Sequence, residues 1–283
     1  MLTLPMPVVA TVIRLTRLRR YTTADRGRRA LAAPKTSSAP PRSLTRRFDV
    51  SRSRDHGFDV YRVGAAAGPA VIYLHGGAYS SEIVSQHWDL IGHIAAETGR
   101  PVHVPIYGLA PAHHGLTALE FVQRVIADVG RCYLAGDSAG GGLALIAAQN
   151  TPGPVAGLTL MAPWLDLTMS NPGIDQVEPH DPWLRRAGLH PMAAAWAGDL
   201  PLTDPRLSPI NGDLTGLPPT QILVGTRDIT LPDCRLLRDR MPPEVPLTYH
   251  EQPGAIHVYP LLPVPEARAG RAAIVNHIRA AIG

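Results

Sequence analysis

The amino-acid sequence predicts an α/β fold in which a mostly parallel central sheet is flanked by helices. The first observation is that, from Ala70 onward, apolar β-branched runs alternate with segments of helical periodicity, as in strands joined by crossover helices. The second is that 283 residues, 45% of them hydrophobic, are enough to bury a substantial core. Disorder of the whole chain is therefore excluded.

The predicted elements follow in chain order. RRFDVSR and GFDVYRV, before Ala70, are expected to form an antiparallel pair, which is common at the edge of such sheets. Apolar residues at helical spacing predict helices over 116–129 and from about 267 to 282. Six runs predict the later strands: Ala70 to His75, Val102 to Tyr107, Arg131 to Gly136, Val155 to Pro163, Gln221 to Gly225 and Leu247 to Glu251.

Two segments do not fit the alternation, and they divide the chain into an arm (1–44), a first part of the core (45–163), an insertion (164–217) and a second part of the core (218–283). Insertions of this size are usually functional lids. Within the insertion, Asp181-Pro182 and His190-Pro191 predict helix starts, and Gly188 and Gly198 predict helix ends.

Charge is concentrated in the arm, because eleven Lys and Arg residues lie in the first fifty against Asp25 and Asp49. We expect these cations to form a solvated face, with attachment to an anionic membrane as the alternative. No nucleic-acid-binding motif accompanies them. Cys132 and Cys234 are too few for a disulfide framework and are expected to be buried thiols. No run approaches the roughly 20 apolar residues of a membrane helix, so the sequence predicts a cytoplasmic enzyme.

The stretch YLAGDSAGGG, Tyr133 to Gly142, places one serine among four glycines. Its centre, GDSAG, matches G-x-S-x-G at the point where a predicted strand ends and a helix begins. In that context the serine occupies a strained turn, and the flanking glycines prevent β-carbon clashes. Ser138 is therefore a candidate nucleophile, although a glycine-rich helix start without chemistry would explain the pentapeptide alone.

A nucleophilic serine needs a base, usually His, that is oriented by a carboxylate, and in this kind of fold these residues follow in the order Ser, Asp/Glu, His. Asp228 lies three residues after the predicted strand that ends at Gly225, at the sheet edge that also carries Ser138. Asp233 competes for the role of acid, but we expect it to cap or open the following helix. Asp228 is therefore the predicted acid.

The base is expected one strand later. His257 lies a few residues beyond the last predicted strand, in a loop opened by Gly254. His250 lies within that strand and is expected to be structural. His257 is therefore the predicted base.

The remaining requirement is an oxyanion hole, with one N–H from the residue after the nucleophile and one from the loop after an early strand. HGGAY, His75 to Tyr79, directly follows a predicted strand. Gly76, Gly77 and Ala139 are therefore the predicted donors. Each such donor typically contributes ~2.7–4 kcal/mol in the transition state.

These segments together resemble the hormone-sensitive-lipase-like branch of the α/β-hydrolases, also called bacterial family IV esterases. HGGAY resembles the family's HGGG[FWY], and GDSAGGG resembles its GDSAGG nucleophile elbow. The likeness runs from about Ala70 to the C-terminus. Other matching segments are YGLAPAH (Tyr107 to His113), PWLDL (Pro163 to Leu167), DPRLSP (Asp204 to Pro209) and GLPPT (Gly216 to Thr220).

The resemblance implies an α/β-hydrolase fold with a helical cap built from the arm and the insertion. It also implies an acyl pocket lined by the apolar residues of Leu4 to Ile13 and by Trp183, Leu184, Met192 and Trp196, for which packing within the cap is the alternative role. Three positions depart from the family pattern: Ala78 replaces the third glycine of HGGG, and Gly108 and Ala112 replace the Arg and Glu of YRLAPE.

The sequence therefore predicts a serine carboxylesterase that acts on small-molecule esters with short to medium acyl chains, as a monomer or homodimer and without cofactor or metal. Ser138 attacks the carbonyl, His257 transfers the proton, and Asp228 orients His257. A lipase, deacetylase, amidase or thioesterase could use the same triad. A non-catalytic ligand-binding protein of this fold is the alternative outside the enzymes.

Overall fold

The computed structural model describes residues 3–55, 57–151 and 153–283. Eight strands form one sheet in the order β1-β2-β4-β3-β5-β6-β7-β8. Strands β1 and β2 pair antiparallel, β2 pairs antiparallel with β4, and all the remaining pairs are parallel. The strands are β1 (Val50–Asp55), β2 (Phe58–Val63), β3 (Ala70–Leu74), β4 (Val102–Pro105), β5 (Cys132–Asp137), β6 (Val155–Met161), β7 (Thr220–Arg227) and β8 (Leu247–Ile256).

Helices cover both faces of this sheet and extend beyond it at the arm and the insertion. The α-helices are α1 (Met6–Thr16), α2 (Ala24–Ala32), α3 (Arg42–Thr45), α4 (Ser85–Thr98), α5 (Gly115–Val129), α6 (Ser138–Asn150), α7 (Ile174–Val177), α8 (Arg186–Ala197), α9 (Leu231–Arg240) and α10 (Glu266–Ile282). Among the described residues, no helix is long and apolar enough to cross a membrane.

The predicted mostly parallel sheet with an antiparallel edge is confirmed. Strand β8 is longer than predicted, because it continues through Gly254 to Ile256 and pairs with Arg227 across an irregularity in β7. His257 therefore follows the strand directly instead of lying in a loop opened by Gly254. Alternate residues of a strand face opposite sides of the sheet, so Ile72 and Leu74 of β3 enter one apolar core while their neighbours enter the other.

Helix α8 corrects the predicted helix boundaries within the insertion. Gly198 follows its last residue, as predicted, but Gly188 and Pro191 lie inside it. A β-carbon on Gly188 would lie 2.6 Å from the carbonyl carbon of Tyr21, and one on Gly27 of α2 would lie 3.0 Å from the carbonyl carbon of Gly188. Gly188 therefore permits the arm to approach α8 closely and does not end the helix. Pro191 removes one i→i−4 hydrogen bond, and its ring crowds the Ala187 carbonyl, so its place inside the helix has a cost in stability.

Two residues expected in the acyl pocket belong to the core instead. Met192 and Trp196 of α8 are fully buried. The Trp196 ring stacks on Tyr79 with ring centroids 4.1 Å apart and planes 5° apart. This stacking anchors α8 to the loop that follows β3.

Candidate active site

The predicted nucleophile occupies a sharp turn between β5 and α6. Ser138 has φ 51°, in the left-handed region that a non-glycine residue adopts only under strain. A β-carbon on Gly136 would lie 2.6 Å from the carbonyl carbon of Gly140, and one on Gly140 would lie 2.5 Å from the carbonyl oxygen of His75. Glycine at both positions is therefore required for the turn to pack against the sheet.

The structure brings together the three residues predicted for the triad. Ser138 Oγ lies 2.9 Å from His257 Nε2, and His257 Nδ1 lies 3.0 and 2.9 Å from the two carboxylate oxygens of Asp228. Asp228 and His257 are both buried. With its proton on Nδ1, His257 donates to Asp228 and leaves Nε2 free to accept the serine proton.

Asp228, the predicted acid, is held by its own loop, and it acts electrostatically on His257, the predicted base. Asp228 Oδ1 also accepts hydrogen bonds from the backbone N–H and the hydroxyl of Thr230, at 3.0 and 2.9 Å. Burial alone would lower the pKa of His257, but attraction to the Asp228 carboxylate and the hydrogen bond between them outweigh burial, so the pKa of His257 is raised. The arrangement stabilises the imidazolium that forms when His257 takes a proton.

The loop after β3 requires a correction to the predicted oxyanion donors. The Gly76 N–H donates to the Asp137 carboxylate at 3.0 Å, so it is not available to a substrate oxygen. The next two residues, Gly77 and Ala78, line the cavity that also contains Ser138. Ala139, the first residue after Ser138, is fully buried at the start of α6.

Asp137 organises this loop through contacts that the sequence motif did not reveal. Its Oδ1 accepts from the Tyr73 hydroxyl at 2.8 Å, in addition to Gly76 N–H. The Val84 N–H donates to His87 Nδ1, so His87 Nε2 carries the proton and donates to Asp137 Oδ2 at 3.3 Å. Burial alone would raise the pKa of Asp137, but the electrostatic interaction with His87 and these hydrogen bonds outweigh burial and lower it.

The competing acid and base are placed elsewhere. Asp233 lies in the first turn of α9, where it accepts a hydrogen bond from Asn171 Nδ2 at 2.8 Å, and burial raises its pKa to about 6. His250 lies on β8, 3.5 Å from the Gln221 amide. Within residues 3–55, 57–151 and 153–283, no group of three or more His, Cys, Asp or Glu side chains is arranged to hold a metal ion.

A cavity of about 510 Å³ lies above Ser138 and His257. This volume is within the ~300–1,000 Å³ typical of small-molecule sites. The arm and the insertion both contribute to its walls. The apolar lining residues from these two segments include Leu4, Val9, Val12, Ile13, Trp183, Leu184 and Leu189.

The three departures from the family pattern have different structural settings. Ala78 has φ 52° and lines the cavity, so its methyl group takes up space beside the oxyanion loop. A β-carbon on Gly108 would lie 2.6 Å from the His113 ring and 2.7 Å from the Phe58 ring, so no larger residue fits there. Ala112 is exposed.

Comparison with known proteins places this geometry in a family. Residues 71–261 match the model of the alpha/beta hydrolase fold family. An acetyl-hydrolase of Streptomyces hygroscopicus is 33% identical over 213 residues, which cover 69% of this chain and 71% of that protein. A triacylglycerol lipase of Mycobacterium tuberculosis is 35% identical over 176 residues, which cover 57% of this chain and only 35% of the lipase.

Solved structures agree with these sequence matches. The crystal structure of EstE5 superimposes with a TM-score of 0.82 at 26% identity and covers 97% of both chains. An esterase from the bacterial hormone-sensitive lipase family has the same fold, with a TM-score of 0.82 at 24% identity and 98% of both chains covered. The chain therefore belongs to the α/β-hydrolase fold family.

Proposed function

We propose that the protein is a serine carboxylesterase in which Ser138, His257 and Asp228 form the catalytic triad. The 2.9 Å separation of Ser138 Oγ and His257 Nε2 carries this proposal. Ser138 Oγ attacks the ester carbonyl carbon as its proton passes to His257 Nε2. The imidazolium returns that proton to the leaving alkoxide, which departs as the alcohol and leaves an acyl-serine. Water then attacks the acyl-serine carbonyl as its proton passes to His257, and the imidazolium returns that proton to Ser138 Oγ as the acyl–oxygen bond breaks and the carboxylic acid leaves.

The oxyanion of each tetrahedral intermediate is bound by backbone N–H groups. We assign this role to Gly77, Ala78 and Ala139, because the Gly76 N–H is engaged with Asp137. Ala139 is the residue after the nucleophile, and its N–H lies at the N-terminal end of α6, where the helix dipole is positive. Asp137 contributes indirectly by holding the β3 loop in place.

The substrate class follows from the cavity. Most of its accessible wall is apolar. The arm and the insertion between β6 and β7, which together form the cap of this proposal, contribute apolar side chains to it, and the arm also contributes the cations Arg17, Arg20 and Lys35. Burial of a methylene contributes about 0.8 kcal/mol, so such walls favour acyl chains up to the length that the cavity holds. We infer short to medium acyl esters of small alcohols as substrates. Lipase, deacetylase, amidase or thioesterase activity remains an outcome of assays with the corresponding substrates, because the triad does not select the leaving group.

A chromogenic ester assay tests the proposed function. Purified protein is expected to release p-nitrophenol from the acetate and butyrate esters, and Ser138→Ala is expected to lose turnover by several orders of magnitude while it stays folded. Turnover that survives in Ser138→Ala would overturn the assignment. A wild-type protein that binds these esters without hydrolysing them would favour the ligand-binding alternative.

We further propose that the outer face of α1 contacts an anionic lipid surface. Met6, Val9 and Ile13 face the core, whereas Val8, Val12 and Leu15 are 46, 52 and 77% exposed. The exposed residues recur at helical spacing and form one apolar stripe, which Leu4 extends at 45% exposure. Leu4 and Val12 also line the cavity above Ser138, so this stripe borders the proposed acyl pocket. Arg14, Arg17 and Arg19 at the end of the stripe match the charge of such a surface.

Vesicle co-sedimentation tests this contact. The protein is expected to sediment with phosphatidylglycerol-containing vesicles and not with pure phosphatidylcholine vesicles. Leu15→Glu should abolish sedimentation, whereas Leu236→Glu, at a 40% exposed position on α9, should not. A dimer in gel filtration that Leu15→Glu dissociates would show instead that a second copy covers the stripe, and would overturn the lipid proposal.

A further inference from the structure

A second buried carboxylate, Asp181 of the insertion, lies next to the triad. Its side chain is 1% exposed. Asp181 Oδ1 accepts hydrogen bonds from the N–H groups of Trp183 and Leu184, at 2.7 and 3.0 Å. Asp181 Oδ2 accepts from the N–H of Ile229, at 2.8 Å. One carboxylate therefore joins two separate segments of the chain.

Both of these segments lie in the candidate active site. Ile229 directly follows the proposed acid, Asp228, in a turn closed by the bond from Leu231 N–H to the Asp228 carbonyl at 3.0 Å. Trp183 and Leu184 line the cavity, and the Trp183 ring stands edge-on to the His257 ring with centroids 5.7 Å apart. The same carboxylate thus fixes the backbone that carries the acid and the wall that packs on the base.

We propose that Asp181 is a positioning residue for the ester-hydrolysing triad. Its carboxylate connects the insertion to the turn that carries Asp228. This inference rests on the proposed function. A buried carboxylate is costly without partners, and Asp181 offsets that cost with three backbone donors. The bond to Ile229 holds the Asp228 backbone at the point where its side chain must meet His257 Nδ1.

The charge of Asp181 also acts on the base. Three carboxylates face His257 from different elements: Asp228 after β7, Asp181 in the insertion and Asp137 at the end of β5. Burial, followed by repulsion from Asp228, raises the pKa of Asp181 to about 6. Above that pH the ionised Asp181 adds to the negative potential that favours the imidazolium.

Asp181→Asn tests the proposal because an amide has one acceptor where the carboxylate has two. The amide oxygen can keep the two donors of the insertion, Trp183 and Leu184, which turns the NH₂ group toward the Ile229 N–H. The hydrogen bond to the turn that carries Asp228 is then lost, because the amide NH₂ group and the Ile229 N–H are both donors and face each other. Ile229→Pro removes the same bond by removing the N–H donor of residue 229. Residue 229 is the second position of a turn, where proline is favoured.

The matched control is Asp233→Asn, which alters another buried carboxylate with a raised pKa, hydrogen-bonded to Asn171. The readouts are kcat and KM for p-nitrophenyl butyrate, normalised to active sites titrated with an organophosphonate, and the pH profile of kcat/KM. Two other measurements test the proposed function separately: hydrolysis of the ester by the wild-type protein, and the loss of that hydrolysis in Ser138→Ala.

We expect Asp181→Asn and Ile229→Pro each to lower kcat about tenfold per titrated site, the size of effect expected when a hydrogen bond to a charged group is lost. The double variant should lose no more than either single variant. In Asp181→Asn the acidic limb of kcat/KM should move to lower pH, because a negative charge near His257 is removed. Asp233→Asn should change neither readout. An unchanged kcat per titrated site in Asp181→Asn, an unmoved acidic limb, or single losses that multiply in the double variant would overturn the proposal.

Discussion

Replacing Gly188 by alanine should displace the N-terminal arm from the cavity without changing any residue of the proposed triad. Gly188 lies inside α8, at the point where the arm crosses the insertion. The new β-carbon would lie 2.6 Å from the carbonyl carbon of Tyr21, and closer still to its Cα and carbonyl oxygen. Because Tyr21 lines the cavity, a movement of its backbone changes the acyl pocket.

The expected change in stability follows from the contact between residue 188 and Tyr21 and from the helix propensity of alanine. Ordinary van der Waals contact begins at 3.4 Å, so the arm must retreat by about 1 Å. Overpacking of this kind costs ~1–3 kcal/mol, which the better helix propensity of alanine offsets by about 1 kcal/mol. The free energy of unfolding should therefore fall by no more than about 2 kcal/mol. Each acyl methylene that loses contact with the wall costs about 0.8 kcal/mol, or roughly fourfold in kcat/KM.

The assay is kcat/KM for p-nitrophenyl acetate, butyrate, hexanoate and octanoate, normalised to titrated active sites. Gly188→Ala should leave acetate nearly unchanged and lower octanoate by roughly 15-fold, as expected if two methylenes lose contact. Ala187→Ser, at the exposed neighbouring position, is the control and should leave the profile unchanged. A uniform loss across the series would show that the arm supports the fold and does not wall the acyl pocket.

Three further predictions concern the proposed triad and the loop beside it. Asp228→Asn should lower turnover by up to about 10⁴ because His257 loses the partner that fixes its tautomer, and a larger loss in Asp233→Asn than in Asp228→Asn would instead move the acid. The pKa of His257 is raised, and only the neutral imidazole can accept the serine proton, so kcat/KM should fall on the acidic side with a midpoint above pH 6.5. A midpoint below pH 6.5 would contradict the inference that Asp228 raises the pKa of His257. Gly76→Ala should abolish measurable turnover, since its β-carbon would lie 2.9 Å from the Asp137 carbonyl oxygen and 3.0 Å from Ser138 Cβ; near-wild-type activity would show that the β3 loop tolerates displacement.

The sheet and the positions of the three triad candidates could be predicted because each depends on a local pattern. The strands of a buried parallel sheet are continuous apolar runs, and their bounds were predicted to within one or two residues for most of them. The turn at Ser138 needs glycine at fixed positions, and the order of acid and base follows from the strands. These signals are readable from neighbouring residues alone.

The features that could not be predicted depend on residues far apart in the chain. Gly76 was expected to donate to the oxyanion, but Asp137, 61 residues later, accepts its N–H. Gly188 and Pro191 have the local signature of helix boundaries, yet packing of the arm on α8 overrides that signature. Asp181 and Pro182 were expected to start a helix, but α8 begins only at Arg186. The relation of Asp181 to the turn that carries Asp228 arises only when the insertion folds onto β7.

The most direct test of the central claim is to trap the acyl-enzyme. The protein would be mixed with excess p-nitrophenyl butyrate, quenched in acid during turnover, and examined by intact and peptide mass spectrometry. One butyryl group is expected per molecule, located on Ser138, and none in Ser138→Ala. A butyryl group on another residue, or turnover without any covalent intermediate, would contradict the assignment of Ser138 as the nucleophile.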